Sequence, residues 1–522
     1  MKPRPAFGSA PALWAALALF FLLAADGLLP AAASPDSPPF LVIFHTNDIH
    51  GHALETNDSE AGPAKIGFPR LKTFLNNYPA AHKLLVDAGD SLHGAPLATV
   101  RRGELMARLL SLMGYDALAA GNHDFDYGLP RLMELRDRYG LPFLAANIIE
   151  KEDGVPLLPS YLVKDFDGFK VGIFALSKPE TPLLTAPGNV ETVNFLEAEK
   201  SLAIAREMVR KLRKEEKVHL VLALTHLGSE PGSSLSSVDL AQNVFGLTMV
   251  VDGHSHRELG LIEGGTLIVS AGEYLEKLGV VEVRRASDGR LLLSYRLIPA
   301  SDFSSLSPDP SLESPALAIS RELGAEMDQV VAKSPISLNG ETEEIRRSST
   351  SLGRVTAAAL LKATGADLAF INSGSIRASL PAGDITRGQL LNVLPFGNYA
   401  VTIQVSGAEI LEAVRHGLSR SGTGGFPQFY GLNVTSIEGP ERRQLVVEVG
   451  GWPLDREKLY TLATNDFLQS GGDGYQSLAH PTTHVFLTVE EILGRFLSET
   501  GLETLKRLAE EDVLTVIVEE SP

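Results

Sequence analysis

Between Phe40 and Pro299, short apolar runs alternate with amphipathic segments, and five of the six runs carry Asp, His or Asn at or near their ends. The runs are FLVIFHTND, KLLVDAGD, DALAAGNHD, KVGIFALS, HLVLALTHLG and MVVDGHSH. Their length and apolar content predict buried strands, and helical patterns such as GELMARLLSLMG lie between several of them. Alternating strands and helices indicate a layered α/β domain, a class that gathers its functional side chains beyond the carboxyl ends of the strands.

The chain has 522 residues, more than one hydrophobic core usually supports, so two domains are expected. The alternation breaks near residue 300 in the Ser- and Pro-rich stretch ASDFSSLSPDPSLESP, which predicts a linker. A helical run, ALAISRELGAEMDQVVAK, and further strands such as YAVTIQV, RQLVVEVG and KLYTLATND follow it. We therefore expect a domain over residues 34–300, a linker and interdomain helix over 301–330, and a second α/β domain over 331–522.

The N-terminus has the order of a secretory signal: Lys2 and Arg4, an apolar run from Ala12 to Ala25, and small residues that favour cleavage after Ala33. The apolar run of 14 residues is short for a membrane span, so a retained anchor is the weaker interpretation. The chain contains no cysteine, which excludes disulfides and thiol catalysis. We predict a periplasmic or secreted protein whose residues 1–33 are removed and which keeps no membrane anchor.

The formal net charge of −18 argues against binding to nucleic acid polymers, which requires basic surface. A small anionic substrate is still compatible with this charge if metal ions or local arginines reverse the field at the site.

The polar residues at the strand ends offer carboxylate, amide and imidazole groups in close spacing. Ten of the 13 histidines lie at or before residue 256, so metal chemistry is expected in the first domain. Mixed oxygen and nitrogen ligands suit Zn²⁺, Mn²⁺, Co²⁺ or Fe²⁺. Each short motif taken singly is typical of an ordinary capped turn, but the joint pattern is not explained that way. Seven candidate ligands exceed the need of one tetrahedral ion and suit two ions that share a carboxylate. They are Asp48, His50, Asp90, Asn122, His226, His254 and His256.

The ordered set NDIHG, GDS, GNHD, THLG and GHSH resembles the calcineurin-like metallophosphoesterase superfamily, in the form found in secreted 5′-nucleotidases, UDP-sugar hydrolases and 2′,3′-cyclic phosphodiesterases. The resemblance implies a four-layer α/β/β/α metallophosphoesterase domain, followed by a smaller α/β substrate-binding domain joined by a linker helix. It implies that one ion is held by Asp48, His50 and His256 and a second by Asn122, His226 and His254, with Asp90 between them. Zn, Mn or Co are the metals expected.

Within GNHDFDYG (residues 121–128), the resemblance makes His123 the donor to the phosphoryl oxygens. A histidine in this role must carry a proton, so it needs an acidic partner. Asp124 and Asp126 are both candidates, and the resemblance favours Asp126.

In the second domain the resemblance assigns three kinds of contact to the substrate. The arginines and an amide form a phosphate clamp, because the guanidinium fork matches phosphate oxygens. Two phenylalanines beside Gly-rich loops stack on the base, and an aspartate accepts from the ribose. The residues are Arg346, Asn372 and Arg377 for phosphate, Phe396 and Phe467 for the base, and Asp473 for the sugar. Arg347 is the alternative to Arg346 if the register slips by one.

The sequence thus predicts an exported two-metal phosphohydrolase that acts on nucleoside 5′-monophosphates, and possible further substrates are nucleotide di- and triphosphates. The alternatives are a UDP-sugar hydrolase, a 2′,3′-cyclic phosphodiesterase with 3′-nucleotidase activity, and a non-catalytic exported nucleotide-binding protein. The sequence does not determine the oligomeric state.

Overall fold

The computed structural model describes residues 19–21, 38–56, 63–185, 187–229, 233–286, 288–438, 443–511 and 513–518. The strands of the first half, in chain order, are β1 (Leu19–Phe21), β2 (Leu41–Thr46), β3 (His82–Asp87), β4 (Ala117–Ala119), β5 (Phe143–Leu144), β6 (Ile148–Glu150), β7 (Tyr161–Phe166), β8 (Phe169–Ser177), β9 (Val193–Phe195), β10 (Leu220–His226), β11 (Met249–Asp252), β12 (Glu258–Glu263), β13 (Thr266–Ala271), β14 (Lys277–Arg285) and β15 (Leu291–Pro299). The helices of this half are α1 (Phe68–Asn77), α2 (Pro96–Thr99), α3 (Glu104–Met113), α4 (Leu129–Tyr139), α5 (Thr181–Leu184), α6 (Ala198–Lys214) and α7 (Ser237–Asn243).

The first domain is built on two large sheets. One has the strand order β1-β15-β14-β2-β3-β4-β5 and the other β12-β13-β11-β10-β8-β7. The neighbours β2, β3, β4 and β5 are parallel, as are β8, β10, β11 and β13. The carboxyl ends of these parallel strands therefore lie along one edge of each sheet, which is where the candidate ligands follow them.

The two sheets pack face to face and each is covered by helices on its outer side. Along β2, Leu41 and Ile43 contribute to the core between the sheets, whereas Val42 and Phe44 face α1, α3 and α4. The outer side of the second sheet packs on α6 and α7. Strands covered on both faces are apolar without alternation, as these runs are. The predicted four-layer α/β/β/α arrangement is confirmed.

The linker helix differs in its limits from the sequence-based prediction. Helix α8 spans Pro310–Met327, so it begins six residues before the predicted run, and the segment after it forms a strand rather than further helix. Asp309 caps the helix by accepting from the Ser311 amide, and Pro310 occupies the first turn, where proline is favoured. Prolines read as linker signals in the sequence therefore mark a helix start.

The strands of the second half are β16 (Val330–Ser334), β17 (Leu368–Asn372), β18 (Gly383–Thr386), β19 (Tyr399–Ser406), β20 (Pro427–Tyr430), β21 (Leu432–Glu438), β22 (Arg443–Val449), β23 (Trp452–Pro453), β24 (Leu459–Asn465), β25 (His484–Thr488) and β26 (Leu514–Val518). The remaining helices are α9 (Thr342–Ile345), α10 (Ser351–Thr364), α11 (Arg387–Val393), α12 (Gly407–Ser419), α13 (Asp466–Gln469), α14 (Val489–Glu499) and α15 (Leu502–Glu510).

The second domain is organised around a mixed sheet with the order β20-β17-β24-β19-β25. Helices α10, α14 and α15 pack on one face of this sheet. Helix α12 and a smaller sheet, β23-β22-β21-β26, pack on the other. The linker helix α8 belongs to the first domain by packing, because Leu312, Ala316 and Ile319 lie in its helix-side core, together with Leu391 from α11. The two domains thus share a continuous apolar contact beside the linker.

Of the predicted leader, only Leu19–Phe21 falls within the described residues, where it pairs antiparallel with β15. No helix in the described part of the chain is long and apolar enough to span a bilayer.

His45, a buried histidine of the first domain, has no hydrogen-bond partner among the described residues. We therefore expect the stability of the protein to depend on pH. His45 is fully buried, both ring nitrogens are unpartnered among the described residues, and burial lowers its pKa to about 3. In the unfolded chain it titrates near 6.5, so the unfolded state takes up the proton first as pH falls. We expect His45→Leu to reduce the loss of unfolding free energy between pH 7 and pH 5 by about 2 kcal/mol.

Urea unfolding at the two pH values measures this difference. The matched control is His484→Leu, which removes an exposed histidine of the second domain. Equal pH dependence in His45→Leu and the parent protein would contradict the expectation.

Candidate functional site

The candidate ligands lie at the carboxyl ends of five strands of the first domain, β2, β3, β4, β10 and β11, and most of them have a strained backbone. Asp48 and His50 follow β2, Asp90 follows β3, and the histidines of GHSH follow β11. Five of the seven candidates have a positive φ, a conformation that is uncommon for residues other than glycine. They are Asp48, His50, Asp90, His254 and His256. Such strain persists where the surrounding structure enforces it, and it concentrates at functional sites.

The first cluster consists of Asp48, His50 and His256, whose ligand atoms lie within 4.8 Å of one another. The Nε2 atoms of His50 and His256 are 3.3 Å apart, and His256 Nε2 is 3.4 Å from Asp48 Oδ1. On its other side, the Nδ1 of His50 lies 2.9 Å from the carbonyl of His93, and that of His256 contacts the Glu273 carboxylate. These acceptors favour the tautomer with the proton on Nδ1 and leave both Nε2 lone pairs facing the cluster.

The second cluster consists of Asp90, His226 and His254, again with ligand atoms within 4.8 Å. His226 is fully buried, and its Nδ1 lies 2.7 Å from the Ala88 carbonyl. Its Nε2 is 3.0 Å from Asp90 Oδ2 but makes no hydrogen bond in the described structure. The Oδ1 of Asn122 lies 2.9 Å from His254 Nδ1 and so joins the same group.

Asp90 belongs to the second cluster and also lies close to the first. Its Oδ2 is 3.0 Å from the Nε2 of His226 and 3.6 Å from the Nε2 of His50. The buried Nε2 of His226, which has no hydrogen bond among the described residues, and the buried carboxylates beside the imidazoles fit metal ions better than they fit a closed protein core. The donor set of oxygen and imidazole nitrogen is the one expected for borderline divalent metals. These His/Asp clusters are therefore suited to bind metal.

The turn GNHDFDYG brings His123 and Asp126 together beside these clusters. Nδ1 of His123 is 2.6 Å from Oδ2 of Asp126. Burial lowers the pKa of His123, but the charges of Asp126 and Asp90 and the hydrogen bond outweigh burial and raise it to about 9. The main-chain amide of His123 also donates to Asp90 Oδ1 at 2.8 Å. The imidazole is thus held cationic, partly exposed, and next to both clusters.

Close approach of this turn to Asp90 depends on Gly121. A Cβ atom at residue 121 would lie 2.2 Å from Asp90 Oδ1 and 2.5 Å from the Asp90 amide. No side chain fits this space without displacing the carboxylate between the clusters.

Asp124, the second acidic residue of the turn, has a different position from Asp126. Its buried carboxylate accepts from four main-chain amides, at distances of 2.9–3.0 Å. They belong to Asp90, Ser91, Leu92 and Gly121. Asp124 therefore fastens the turn to the loop that carries Asp90, whereas Asp126 contacts the imidazole.

This difference predicts distinct effects of two similar substitutions. Asp124→Asn should lower the free energy of unfolding by about 1–3 kcal/mol, because the amide group turns a donor toward backbone N–H groups that need an acceptor. Asp126→Asn should leave the unfolding midpoint nearly unchanged and lower turnover instead. Thermal unfolding and kcat, measured on both variants, check this. Equal losses of turnover in the two variants would contradict the pairing of Asp126 with His123, which we call the dyad.

The candidate substrate residues of the second domain fall into connected pairs. The guanidinium of Arg377 lies 5.8 Å from the ring centre of Phe396, and Asn372 Nδ2 donates to Asp473 Oδ2 at 2.9 Å. Phe396 and Phe467 are 46% and 41% exposed, high values for phenylalanine in a folded domain.

Asp466, the first residue of α13, connects this helix, which carries Phe467, to the loop that carries Phe396. It accepts from the Asn398 side chain at 2.8 Å and from the Phe467 amide at 2.9 Å. The segments that carry Phe396 and Phe467, called the aromatic loops below, are therefore held together by Asp466.

Arg346 stands apart from these pairs. Its carbonyl accepts from the Gly422 amide, and its Nε is buried without a hydrogen-bond partner in the described structure. The side chain of Arg347 is exposed. A buried guanidinium nitrogen without a partner makes Arg346 the better candidate for an anion contact.

The loop of the second domain that carries Phe396 and Gly397 lies against His93, beside His123 and Asp126 of the first domain. A Cβ atom at Gly397 would be 2.8 Å from His93 Nε2, and the His93 ring is stacked on His123 with centroids 5.6 Å apart. Tyr274, beside His256, has a pKa raised to about 12 by burial and by the Glu273 charge, with the Arg377 charge acting in the opposite direction. The candidate phosphate and base residues Arg377 and Phe396 therefore lie next to the His/Asp clusters, across the domain interface.

Glu273 and Asn47 support the site and are absent from the sequence-based prediction. Asn47 donates to Asp48 Oδ2 at 2.8 Å and also bonds the backbone at residues 271 and 272. Glu273 follows the apolar run TLIVSA of β13, so it carries the same signal as the candidate ligands, an acidic residue just beyond a strand. Asn47 carries no such signal, because its backbone partners belong to another segment of the chain.

Comparison with known proteins supplies independent information. Residues 41–258 match the model of the calcineurin-like phosphoesterase family, and residues 330–480 match that of the 5′-nucleotidase C-terminal domain. The chain is 30% identical to the protein UshA of Yersinia enterocolitica, over 84% of this chain and 86% of that protein. It is also 30% identical to the trifunctional nucleotide phosphoesterase YfkN of Bacillus subtilis, over 91% of this chain but only 35% of that longer protein.

Among solved structures, the fold is similar to that of a 5′-nucleotidase precursor from Thermus thermophilus. The TM-score is 0.63 at 29% identity, and the alignment covers 92% of this chain and all of that one.

Proposed function

The chain belongs to the 5′-nucleotidase family of calcineurin-like phosphoesterases, and from this premise we propose that it hydrolyses nucleoside 5′-monophosphates with two divalent metal ions. The coarser statement needs no proposal: the protein is a phosphoester hydrolase with the two-domain fold of this family. The substrate, the number and identity of the ions and the roles of individual residues are the proposed part.

The observation that carries the proposal is the contact between the Phe396–Gly397 loop and His93, beside the dyad. It supports a single substrate that reaches from an aromatic base site in one domain to the metal clusters in the other. A nucleoside monophosphate has this extent and this order of groups.

In the proposed metal centre, Asp48, His50 and His256 hold one ion, Asn122, His226 and His254 hold the other, and Asp90 contacts both. Ions bound there would supply a nucleophilic water of lowered pKa and would neutralise charge on the phosphoryl oxygens. Zn, Mn and Co are the metals we propose from the donor set.

The chain's own groups complete the chemistry. The cationic imidazole of His123 donates to a phosphoryl oxygen as charge develops there, and Asp126 keeps that proton on the ring. Arg346, Asn372 and Arg377 bind the phosphate, Asp473 accepts from the ribose, and Phe396 and Phe467 hold the base. The buried Nε of Arg346, which has no hydrogen-bond partner among the described residues, supports its part in this set over Arg347.

We further propose that the protein is exported, with residues 1–33 as a cleaved signal, and that it acts in the periplasm or outside the cell without a membrane anchor. Residues 34–300 then form the metal-binding domain, 301–330 the linker with its helix, and 331–522 the substrate-binding domain. The basic residues followed by an apolar run at the N-terminus support export.

A substrate panel tests the proposed function. Phosphate release is measured with AMP, UDP-glucose, 2′,3′-cyclic AMP and bis-(4-nitrophenyl) phosphate, and the highest kcat/KM is expected with AMP. Preference for UDP-glucose or for the cyclic diester would replace the proposed substrate. Binding of AMP without any phosphate release would identify a non-catalytic nucleotide-binding protein.

Phe396→Ala provides the matched variant for this panel. Loss of one stacking face should raise KM for AMP by roughly 5- to 150-fold, since base stacking contributes about 1–3 kcal/mol. The rate with bis-(4-nitrophenyl) phosphate, which has no base, should change little. Parallel losses with both substrates would show that Phe396 does not contact the base.

A further inference from the structure

One hydrogen bond crosses from the second domain to the catalytic turn of the first. The hydroxyl of Tyr399 donates to the main-chain carbonyl of Asp126 at 2.9 Å. Tyr399 is the first residue of β19, three positions after Phe396 in the aromatic loop. The contact therefore joins the segment that carries a candidate base contact to the residue that pairs with His123.

Asp126 is held at both its main chain and its side chain. Its carbonyl also accepts from the Asn189 side chain at 2.9 Å. Its carboxylate lies 2.6 Å from Nδ1 of His123 and 3.2 Å from Nδ1 of His93. Asn189 and His93 belong to the first domain and Tyr399 to the second, so among these three contacts the Tyr399 hydrogen bond depends on the position of the second domain.

Tyr399 is itself fixed by the aromatic loops. Its amide donates to Asp466 Oδ2 at 3.1 Å, and the same carboxylate accepts from Asn398 and from the Phe467 amide. A displacement of either aromatic loop is therefore transmitted to the tyrosine ring. Burial, the largest cause, raises the pKa of Tyr399 to about 12, so the hydroxyl keeps its proton as a donor across the physiological range.

Gly397 adds a second contact at the same place. Its φ is 62°, a left-handed conformation that favours glycine, and its Cα faces the Nε2 of His93. The loop can approach the stacked rings of His93 and His123 this closely because residue 397 has no side chain.

We propose that Tyr399 is a positioning residue that couples the seating of the substrate-binding domain to the orientation of Asp126, and through Asp126 to His123. This inference rests on the proposed roles of the dyad. With the second domain seated, the Asp126 carbonyl has both of its donors, and its carboxylate is held against the imidazole. With the domain displaced, Asn189 alone retains the carbonyl, and the alignment of the dyad relaxes.

Tyr399→Phe tests the proposal because it removes one oxygen atom and keeps the ring. We expect kcat with AMP to fall about tenfold, the effect of one lost hydrogen bond of about 1.4 kcal/mol, while KM stays within twofold. The matched control is Tyr161→Phe, which removes a hydroxyl bonded to Glu216 at 2.9 Å in the first domain. The control should leave kcat and KM unchanged.

A double-mutant cycle separates positioning from a general structural effect. If Tyr399 acts through the Asp126 carboxylate, Tyr399→Phe should lower kcat less than twofold in an Asp126→Asn background. An equal, tenfold loss in both backgrounds would overturn the proposal, and so would an unchanged kcat in the single variant. If wild-type protein releases no phosphate from AMP, the proposed function is wrong. Failure of the proposed coupling is recognised separately, by the two outcomes of the cycle given above.

Gly397→Ala keeps the proposal testable if Tyr399→Phe fails to fold. The added methyl group would lie 2.8 Å from His93 Nε2 and should lift the loop from the dyad. The same cycle applies: a loss of kcat in the wild-type background that is at least fivefold larger than in Asp126→Asn supports the coupling, and equal losses overturn it.

Discussion

Substitution of His123 by Asn is expected to lower kcat for phosphate release by about 10³-fold while bound metal is retained. In the proposed function the imidazolium donates to the phosphoryl oxygens in the transition state, and loss of a single preorganised donor of this kind costs about 10²–10³-fold. Proton donation by a positioned side chain contributes a similar factor. Measurement of kcat together with metal content by mass spectrometry checks both halves of the expectation.

The pH dependence provides the control for His123. Its pKa, raised to about 9 as described above, lies above the ordinary value of 6.5, so the charged form is present at neutral pH and is lost as pH rises through the folded value. The rate should therefore be flat near neutrality and should fall at alkaline pH. Cations at Asp90 would weaken the part of this shift that Asp90 supplies, so the fall should begin no higher than about pH 9. A His123→Asn variant with activity within threefold of wild type would contradict the assignment.

Asp90→Asn is expected to lower kcat by more than about 10³-fold and to release metal. Its Oδ2 lies between His226 Nε2 at 3.0 Å and His50 Nε2 at 3.6 Å, so its charge serves both clusters. An amide in this place halves the oxygen ligands and removes the charge that holds two cations close together. Metal equivalents per chain and kcat, measured on the same preparation, give the result.

The matched control for Asp90→Asn is Asp87→Asn, which changes a carboxylate three residues earlier, at the end of β3. Asp87 is fully buried and accepts from Thr46, Gly89 and Ser91, all neutral donors. Its pKa is raised to about 7, chiefly by burial, so the substitution removes less charge. We expect Asp87→Asn to retain metal and most of its turnover at the cost of some stability. Equal metal loss in both variants would point to collapse of the loop instead of loss of a ligand.

The sequence predicted the convergence of the candidate ligands because this depends on local patterns. Apolar runs that end in polar residues become parallel strands, and parallel strands place their carboxyl ends along one edge. Asp48, His226 and His254 could thus be grouped without knowledge of the packing. The preference for Asp126 over Asp124 came from family resemblance alone. The structure adds the physical difference, because one carboxylate contacts an imidazole and the other contacts four backbone amides.

Contacts between distant segments that do not follow from the shared edge of a parallel sheet were beyond prediction. Tyr399 meets Asp126 across 273 residues, and Glu273 meets His256 only because β13 lies beside β11. The limits of the linker helix were wrong for a local reason, since Pro310 in a Ser- and Pro-rich stretch reads as linker and yet occupies a position that proline favours at a helix start. The choice between Arg346 and Arg347 depends on burial, which adjacent arginines in a sequence do not reveal.

Titration of metal-free protein with Mn²⁺, Co²⁺ or Zn²⁺ while AMP hydrolysis is recorded tests the central claim most directly. We expect no phosphate release before metal is added, a rise in activity that saturates at two equivalents per chain, and release of adenosine together with phosphate. Full activity in the metal-free protein, or saturation at two equivalents of metal with AMP bound but no phosphate released, would contradict the account.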